Sequence, residues 1–293
     1  MKILLSIIGA ALVWTSLPAA EPLRIKLFPE GSPSSNGLET TPETVDERGY
    51  YFSVSDPELE VFLPDAATAT GQAVLVVPGG GYEKVCVTYE GYKTAEWLNA
   101  RGIAAMVLKY RMPNGHPQTV LEDGAQAMRV IRRNAAQWNV DPRNIGAMGF
   151  SAGGHFVSTL ITGYPDEETR PDFAVLVYPV ISMDYSSARS RENLLGAASE
   201  DILSCDRHST HKRVHEGMPE VLLALCDNDK TVVPEHSLLF YKALKQHGIK
   251  AEMHIYPAGG HGFWMRERYR YGKETYGTIL RWIEQHKTKR TTK

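Results

Sequence analysis

The stretch that most constrains the fold runs from Asn144 to His155 and contains the pattern G-x-S-x-G at residues 149–153. An apolar run before the pattern predicts a short buried strand, and the apolar residues after it predict a helix. A serine between such a strand and helix lies on a sharp turn, where the flanking glycines avoid Cβ clashes. The turn exposes the hydroxyl at the N-terminus of the helix, which stabilises developing negative charge. The pattern predicts a nucleophile at Ser151, but an inert serine on a glycine-rich turn would share it.

Alternating apolar segments on both sides of Ser151 predict an α/β protein with a mainly parallel sheet covered on both faces. Strands are expected at 59–63, 73–77, 103–108, 145–150, 173–178, 221–226 and 251–256. Helices are expected at 91–101, 121–138, 152–161, 236–247 and 274–286. The strand at 59–63 ends at Pro64, which is typical of a sheet edge. The irregular stretch at 182–217 is expected to form a small cap over the site.

The N-terminus has the features of a secretory signal peptide. Lys2 supplies a positive charge, and Ile3–Trp14 is an apolar core too short to span a bilayer. The small residues Ala19 and Ala20 predict cleavage near residue 20. Residues 1–20 therefore predict a secreted or periplasmic protein, with an uncleaved membrane anchor as the alternative.

The remaining chain is long enough for one large α/β domain. Residues 21–55 are rich in Pro, Ser, Thr, Glu and Gly and are expected to form an extended lead-in to a domain at 56–293. The formal net charge of −2 gives no indication of nucleic acid or of an anionic membrane surface as a partner. Three cysteines, Cys86, Cys205 and Cys226, allow one disulfide, and the sequence does not indicate which pair forms it.

A glycine-rich turn at Pro78–Tyr82 follows a predicted buried strand. Consecutive glycines allow backbone N–H groups to point into one concavity. There they can meet the oxyanion of a tetrahedral intermediate, together with the N–H of Ala152, the residue after the serine. The turn is therefore a candidate oxyanion hole, and a glycine turn without function is the alternative.

An acid and a base follow the last two predicted strands. Asp227 and Asp229 come after the strand at 221–226, and His261 lies in a glycine-rich loop after the strand at 251–256. A carboxylate there can orient the histidine, which can then accept the serine proton. We favour Asp229 because it lies further beyond the strand end, and Asp227 remains a candidate. The chain order of serine, aspartate and histidine is typical of α/β-hydrolases.

These stretches resemble the secreted bacterial α/β-hydrolase esterases of the acetyl-xylan-esterase type, which are relatives of the hormone-sensitive-lipase group. The resemblance implies an α/β-hydrolase fold, Asp229 as the acid, and Gly80, Gly81 and Ala152 as oxyanion donors. One departure concerns Pro78, since lipase-like relatives have histidine before the three glycines. The cap-like stretch from Asp184 to Gly217 matches poorly. The matching segments are Val77–Tyr82, Leu108–Arg111, Asp141–Ile145, Gly149–His155, Asp229–Pro234 and Gly259–Phe263.

Four further residues are candidates for contact with a substrate. Tyr82 and Glu90 lie near the glycine turn, and Phe263 and Trp264 lie beside the base. For each of them, packing in the core is the alternative. A compact group of one cysteine and three histidines has spacing that zinc sites also use, but we predict a solvated helix or loop and no metal. Its members are Cys205, His208, His211 and His215.

The combined pattern predicts a serine carboxylic-ester hydrolase that works through an acyl-enzyme and needs no cofactor. The expected substrates are acetylated plant polysaccharides or short-chain esters, and the sequence gives no oligomeric state. A serine peptidase of the prolyl-oligopeptidase kind is the first alternative, although the residues before the strand at 59–63 are too few for the propeller of those enzymes. A hydrolase-like binding protein without catalysis is the second alternative.

Overall fold

The computed structural model describes residues 22–185 and 188–287. Its strands, numbered in chain order, are β1 (Leu23–Lys26), β2 (Thr44–Val45), β3 (Tyr51–Phe52), β4 (Glu58–Phe62), β5 (Ala73–Val77), β6 (Lys84–Val85), β7 (Ala104–Lys109), β8 (Ile145–Phe150), β9 (Phe173–Val177), β10 (Glu220–Cys226) and β11 (Ala251–Tyr256). Its helices are α1 (Lys93–Asn99), α2 (Gln118–Asn134), α3 (Ala152–Gly163), α4 (Ala188–Leu195), α5 (Ile202–His208), α6 (Glu235–Gln246) and α7 (Gly272–Gln285). The long helix predicted to reach Trp138 ends at Asn134.

Eight strands form one sheet in the order β1-β4-β7-β5-β8-β9-β10-β11. The strands from β7 to β11 in this order pair in parallel, whereas β1–β4 and β4–β7 pair antiparallel. A mostly parallel sheet flanked by helices confirms the predicted α/β-hydrolase fold. The expectation that β4 is an edge strand is wrong, because β1 pairs with it from Leu23↔Val61 to Lys26↔Glu58. This strand comes from the segment that we expected to be an extended lead-in.

The core lies on both faces of the central strands. Every residue of β5, β7, β8 and β9 is buried. Successive side chains of a strand point to opposite faces, so continuous burial requires that both faces are covered. The apolar runs in the sequence therefore correspond to central strands, and the central part of the sheet forms a rigid platform.

The carboxyl ends of the parallel strands bring the candidate residues to one edge of the sheet. Gly79 follows β5, Ser151 follows β8 and Tyr178 follows β9. Asp229 follows β10, and His261 lies in the loop after β11. Ligands of open α/β sheets bind at this edge, because the connections there leave a crevice.

The irregular stretch before β10 contains more helix than the sequence indicates. It holds α4 and α5 together with two short 3₁₀ turns, Gly196–Ala198 and Thr210–Lys212. The side-chain amide of Asn193 in α4 donates to the carbonyl of Gly81 at 2.9 Å. The predicted cap-like insertion is thus packed against the glycine-rich turn.

The predicted signal peptide at residues 1–20 lies outside the described residues. Across 22–185 and 188–287, no helix combines the length and the apolar character needed to span a bilayer.

Candidate active site

Ser151 lies on a strained turn between β8 and α3. Its φ of 52° and ψ of −119° place it in a region that residues with a side chain rarely adopt. The turn is tight enough to require glycine at two positions. A Cβ on Gly149 would lie 2.2 Å from the carbonyl oxygen of Gly153, and a Cβ on Gly153 would lie 2.2 Å from the carbonyl oxygen of Val77. Both contacts are shorter than packing allows, so the sequence pattern G-x-S-x-G follows from the backbone geometry.

Ser151, His261 and Asp229 form a continuous chain of hydrogen bonds. Nε2 of His261 lies 2.9 Å from Oγ of Ser151, and Nδ1 lies 2.7 Å from Oδ2 of Asp229. A carboxylate only accepts hydrogen bonds, so Nδ1 carries the proton and Nε2 is free to accept the serine proton. The side chain of Asp229 is fully buried, whereas that of His261 is 21% exposed and faces the cavity.

The carboxylate of Asp229 is also fixed by the backbone. Its Oδ1 accepts from the N–H groups of Thr231 and Val232 at 2.9 and 3.0 Å. Asp227, the other candidate acid, has an exposed side chain, and its backbone N–H donates to the carbonyl of Tyr256. The structure therefore brings Asp229, and not Asp227, to His261.

The glycine-rich turn lies beside the serine, where a Cβ on Gly79 would be 2.8 Å from Cβ of Ser151. Gly80 and Gly81 have φ values of 133° and 65°, and both line the cavity that contains Ser151. Among the described residues, the N–H groups of Gly80, Gly81 and Ala152 donate to no protein acceptor. Unused donors at this place can bind an anionic oxygen.

Glu90 holds the neighbouring Gly79. Its Oε2 accepts from the N–H of Gly79 at 2.7 Å, and its Oε1 accepts from the hydroxyl of Tyr178 at 2.8 Å. Removal from bulk water raises the pKa of Glu90, and these two hydrogen bonds partly oppose the rise. Tyr178 also packs against the ring of His261, with 4.9 Å between the ring centroids. Glu90 thus links the glycine turn to the surroundings of the base.

The other candidate substrate contacts lie in different environments. Tyr82 is 1% exposed, and its hydroxyl donates to Nδ1 of His155 at 2.8 Å, away from the cavity lining. Phe263 is also buried and stacks on Tyr269 with 4.4 Å between centroids. Trp264 and Glu90 both line the cavity. Of the four residues, the structure brings these two to the site and places Tyr82 and Phe263 in the core.

The cavity at Ser151 has a volume of about 300 Å³. Besides the residues already described, its walls include Tyr50, Tyr89, Arg189 and Arg266. Sequence analysis did not predict Tyr50, Tyr89 and Arg266 at the site, because they come from separate loops and from the helical turn at Val87–Tyr92, and none belongs to a motif. Arg189 is visible in the sequence as one of several charged residues of the cap-like stretch. The only available signal for the other three was their aromatic or cationic character in segments next to the glycine turn and the base.

The three cysteines are free in the described part of the chain. The sulfhydryl of Cys205 donates to the carbonyl of Ser199, and Nδ1 of His208 donates to the carbonyl of Ser204. Within residues 22–185 and 188–287, no group of three or more metal-ligating side chains is arranged to hold an ion.

The arrangement is the one that the sequence predicts for a nucleophile, a base, an acid that orients the base, and backbone donors for an oxyanion. Together these are the requirements of acyl transfer through a covalent intermediate. The cavity walls are mixed in character, with cationic, acidic and aromatic side chains around the reacting serine.

Comparison with known proteins agrees with this chemistry. A model of the prolyl oligopeptidase family matches residues 93–290. An acetylxylan esterase from Xylanibacter ruminicola is 36% identical over 232 residues, which cover 78% of this chain and 48% of that protein. An endo-1,4-beta-xylanase B from Butyrivibrio fibrisolvens is 35% identical over 64% of this chain and 32% of that protein. The chain thus spans about half the length of the acetylxylan esterase and about a third of the length of the xylanase.

A solved structure is similar along almost its whole length. The acetyl ester-xyloside bifunctional hydrolase from Caldicellulosiruptor lactoaceticus is 32% identical, with a TM-score of 0.74. The match covers 92% of this chain and 98% of that chain.

Proposed function

The chain belongs to the prolyl oligopeptidase family of α/β-hydrolases, and we propose that it is a serine carboxylic-ester hydrolase that removes acetyl groups from plant polysaccharides. The observation that carries the proposal is the hydrogen-bond chain from Ser151 through His261 to Asp229 beside unused backbone donors. The similarity to an acetylxylan esterase and to an acetyl ester-xyloside hydrolase supports the choice of substrate.

The first step forms an acyl-enzyme. Nε2 of His261 accepts the proton of Ser151 as the oxygen attacks the ester carbonyl. The N–H groups of Gly80, Gly81 and Ala152 stabilise the negative charge on the former carbonyl oxygen. Asp229 stabilises the imidazolium that forms, and the imidazolium then gives its proton to the leaving alkoxide.

The second step repeats this sequence with water. Nε2 of His261 accepts a proton from a water molecule, which attacks the acyl carbon and forms a second oxyanion at the same donors. Collapse of this intermediate breaks the bond to Oγ of Ser151, which regains its proton from the imidazolium. Acetate leaves, and the site returns to its starting state.

The cavity supports a preference for short acyl groups. Its volume of about 300 Å³ must hold the acyl group and part of the alcohol, and Trp264 forms one wall. Arg189, Arg266 and Glu83 also line it and favour a hydrated alcohol such as a sugar. A lipase-like site would instead need a deep apolar channel for a long chain.

An exported location suits a polymeric substrate. Residues 1–20 have the charge and the apolar core of a secretory signal. We therefore include secretion to the periplasm or to the medium in the proposal.

An ester panel tests the proposed function. We expect kcat/KM for p-nitrophenyl esters to fall from acetyl or propionyl onward, and peptide amides to be hydrolysed very slowly. Each methylene that a pocket accommodates contributes up to about 0.8 kcal/mol, so a deep channel would give rising values. A steady rise through octanoyl, or turnover of peptide amides at the rate of acetyl esters, contradicts the proposal.

Ser151→Ala is the control for this panel. We expect kcat to fall by several orders of magnitude while circular dichroism and the melting temperature stay those of a folded protein. Acetate release from acetylated xylo-oligosaccharides then tests the sugar substrate directly.

A further inference from the structure

A second cavity adjoins the catalytic one. It has a volume of about 840 Å³, and we call it the distal groove. Tyr50, Tyr89 and Arg266 line both cavities. The two spaces are therefore neighbours separated by these three side chains, and a long substrate bound at Ser151 can extend past them into the distal groove.

Two aromatic side chains stand at this junction. The ring of Tyr89 is 40% exposed, and the ammonium group of Lys93 lies 4.3 Å from its centroid. Tyr50 is half-buried, with Nζ of Lys84 at 5.9 Å from its centroid. Exposed aromatic rings offer a flat apolar surface with a polar rim, on which the apolar faces of sugar rings pack. The junction is thus suited to a carbohydrate chain.

The distal groove also carries an excess of positive charge. Its walls contain the cations Arg48, Lys93, Arg266 and Arg268 and the acidic residues Glu47 and Glu267. Within the described residues, none of these four cations forms a salt bridge with a carboxylate. The chain as a whole has a formal charge of −2, so this positive surface is local. Guanidinium groups bind carboxylates with two parallel hydrogen bonds.

Arg266 lies between the positively charged distal groove and the loop that carries His261. Its Nε donates to the carbonyl of Gly262 at 2.5 Å, and Gly262 directly follows His261. The guanidinium therefore lies beside the loop that carries His261 and borders both cavities. An anionic group of a substrate would meet it immediately beyond the reacting ester.

We propose that the distal groove is a subsite for a sugar chain that carries carboxylate groups, such as uronic-acid substituents. This inference rests on the proposed deacetylation of polysaccharides, because the distal groove would bind the part of the same substrate that extends beyond the catalytic cavity. Tyr50 and Tyr89 support the sugar rings, and the cations that form no salt bridge within the described residues bind the carboxylate.

The test compares two acetylated xylo-oligosaccharides of equal length, one neutral and one with a uronic-acid substituent. We expect wild-type kcat/KM for acetate release to be about threefold to tenfold higher for the acidic substrate, since each charge contact at a surface contributes modestly. The preference should shrink between about 0.01 M and about 1 M salt, where the screening length falls from about 30 Å to about 3 Å. Equal values at low salt overturn the inference.

Charge variants test whether the cations of the distal groove cause the preference for the acidic substrate. Arg48→Gln combined with Arg268→Gln should reduce the preference for the acidic substrate towards unity. Arg143→Gln is the matched control, because Arg143 is an exposed cation in the turn before β8, at the opposite end of the strands from Ser151. The inference fails if Arg143→Gln reduces the preference as much as the pair does.

Variants of Tyr89 test the sugar surface. Tyr89→Ala should lower kcat/KM for both oligosaccharides by about twofold to tenfold, since a stacked ring contributes about 0.5–1.5 kcal/mol, and Tyr89→Phe should retain most of the activity. Tyr164→Ala, at the far end of α3 from Ser151, is the control. Equal hydrolysis of both oligosaccharides by all variants overturns the subsite but leaves the proposed deacetylation intact. If neither oligosaccharide is hydrolysed while p-nitrophenyl acetate is, the proposed substrate itself is wrong.

Discussion

At the scale of single residues, Asp229 is held more firmly than His261, the residue that we propose it orients. Its carboxylate accepts two backbone N–H groups and the Nδ1–H of His261, and its side chain has no exposed surface. His261 is partly exposed, and its ring is held by Asp229 on one side and by Ser151 on the other. In the proposed mechanism this imidazole serves two successive proton transfers, while the buried carboxylate keeps it oriented.

Substituting each aspartate in turn tests which of the two carboxylates orients His261. We expect Asp229→Asn to lower kcat by about 10⁴, because an amide no longer fixes the productive tautomer of His261. Asp227→Asn should have a far smaller effect, since that side chain is exposed. Steady-state kinetics of both variants on p-nitrophenyl acetate measure the two effects, with the melting temperature as a control for folding. The reverse ranking would transfer the role of the acid to Asp227.

The site residues that belong to a sequence motif could be predicted from the sequence, whereas those outside any motif could not. Ser151, Asp229 and His261 each follow a predicted strand, and parallel strands bring such positions to one edge. Tyr178 also follows a strand, but a single tyrosine with a φ of 39° carries no sequence signal. Its hydrogen bond to Glu90 joins residues 88 positions apart, a contact that only the tertiary fold creates.

At the scale of elements, a π-helical turn carries Glu90, which holds the glycine-rich loop through Gly79. The turn spans Val87–Tyr92 and leads directly into α1. Thr94, in α1, donates to the carbonyl of Glu90 at 2.8 Å and accepts from the indole N–H of Trp264 at 2.7 Å. The loop that carries the base is therefore connected to the turn that carries Glu90. Extra residues of this kind in a helix often occur at functional sites.

Removal of the Glu90 carboxylate tests this connection. We expect Glu90→Ala to lower kcat on p-nitrophenyl acetate by about 10², because small displacements of oxyanion donors have effects of this size. KM should change much less, since a short ester makes little contact with Glu90. Glu90→Gln should restore most of the activity, because an amide can accept from Gly79 and donate to Tyr178.

The exposed Glu96 in α1 provides the matched control for this comparison. Glu96→Ala should leave both constants unchanged. A large rise in KM with constant kcat for Glu90→Ala would instead indicate that Glu90 binds substrate directly.

The order of the helices and strands along the chain could be predicted from hydrophobic patterns. Which strands pair side by side in the sheet could not. The sequence indicates seven strands of the large sheet, while β1 looks like part of a polar lead-in because its side chains are mostly exposed. An edge strand gains its stability from backbone pairing, which leaves no strong pattern in the side chains. The contact of Asn193 with Gly81 is likewise invisible in the sequence, because it spans 112 positions.

At the scale of the whole molecule, two buried histidines connect the cap to the central domain. Nε2–H of His155 donates to the carbonyl of His208, and Nε2–H of His236 donates to that of Tyr185. Nδ1 of His155 accepts from Tyr82, and Nδ1 of His236 accepts from two backbone N–H groups. Both rings are neutral, because burial lowers the pKa of His155 to about 3 and that of His236 to about 4.

This arrangement makes the stability of the fold depend on pH in a defined window. In the unfolded chain a histidine binds a proton below about pH 6.5, whereas in the folded chain these two do so only near pH 3 and pH 4. Between these limits the unfolded state binds more protons, so the free energy of unfolding decreases as the pH falls. Below pH 6.5 the slope approaches about 1.4 kcal/mol per pH unit for each histidine, and the expected loss between pH 6.5 and pH 5 is about 3 kcal/mol for both together.

Urea unfolding at several pH values between about 5 and about 7.5 measures this slope. His236→Asn, which keeps an acceptor for the two backbone N–H groups, should reduce the slope of the wild-type protein by about 1.4 kcal/mol per pH unit. The exposed His247 supplies the control, and His247→Gln should leave the slope unchanged. If the His236→Asn protein and the wild type lose stability in parallel as the pH falls, His236 is already charged in the folded state. The connection between the cap and the central domain then does not depend on a neutral ring.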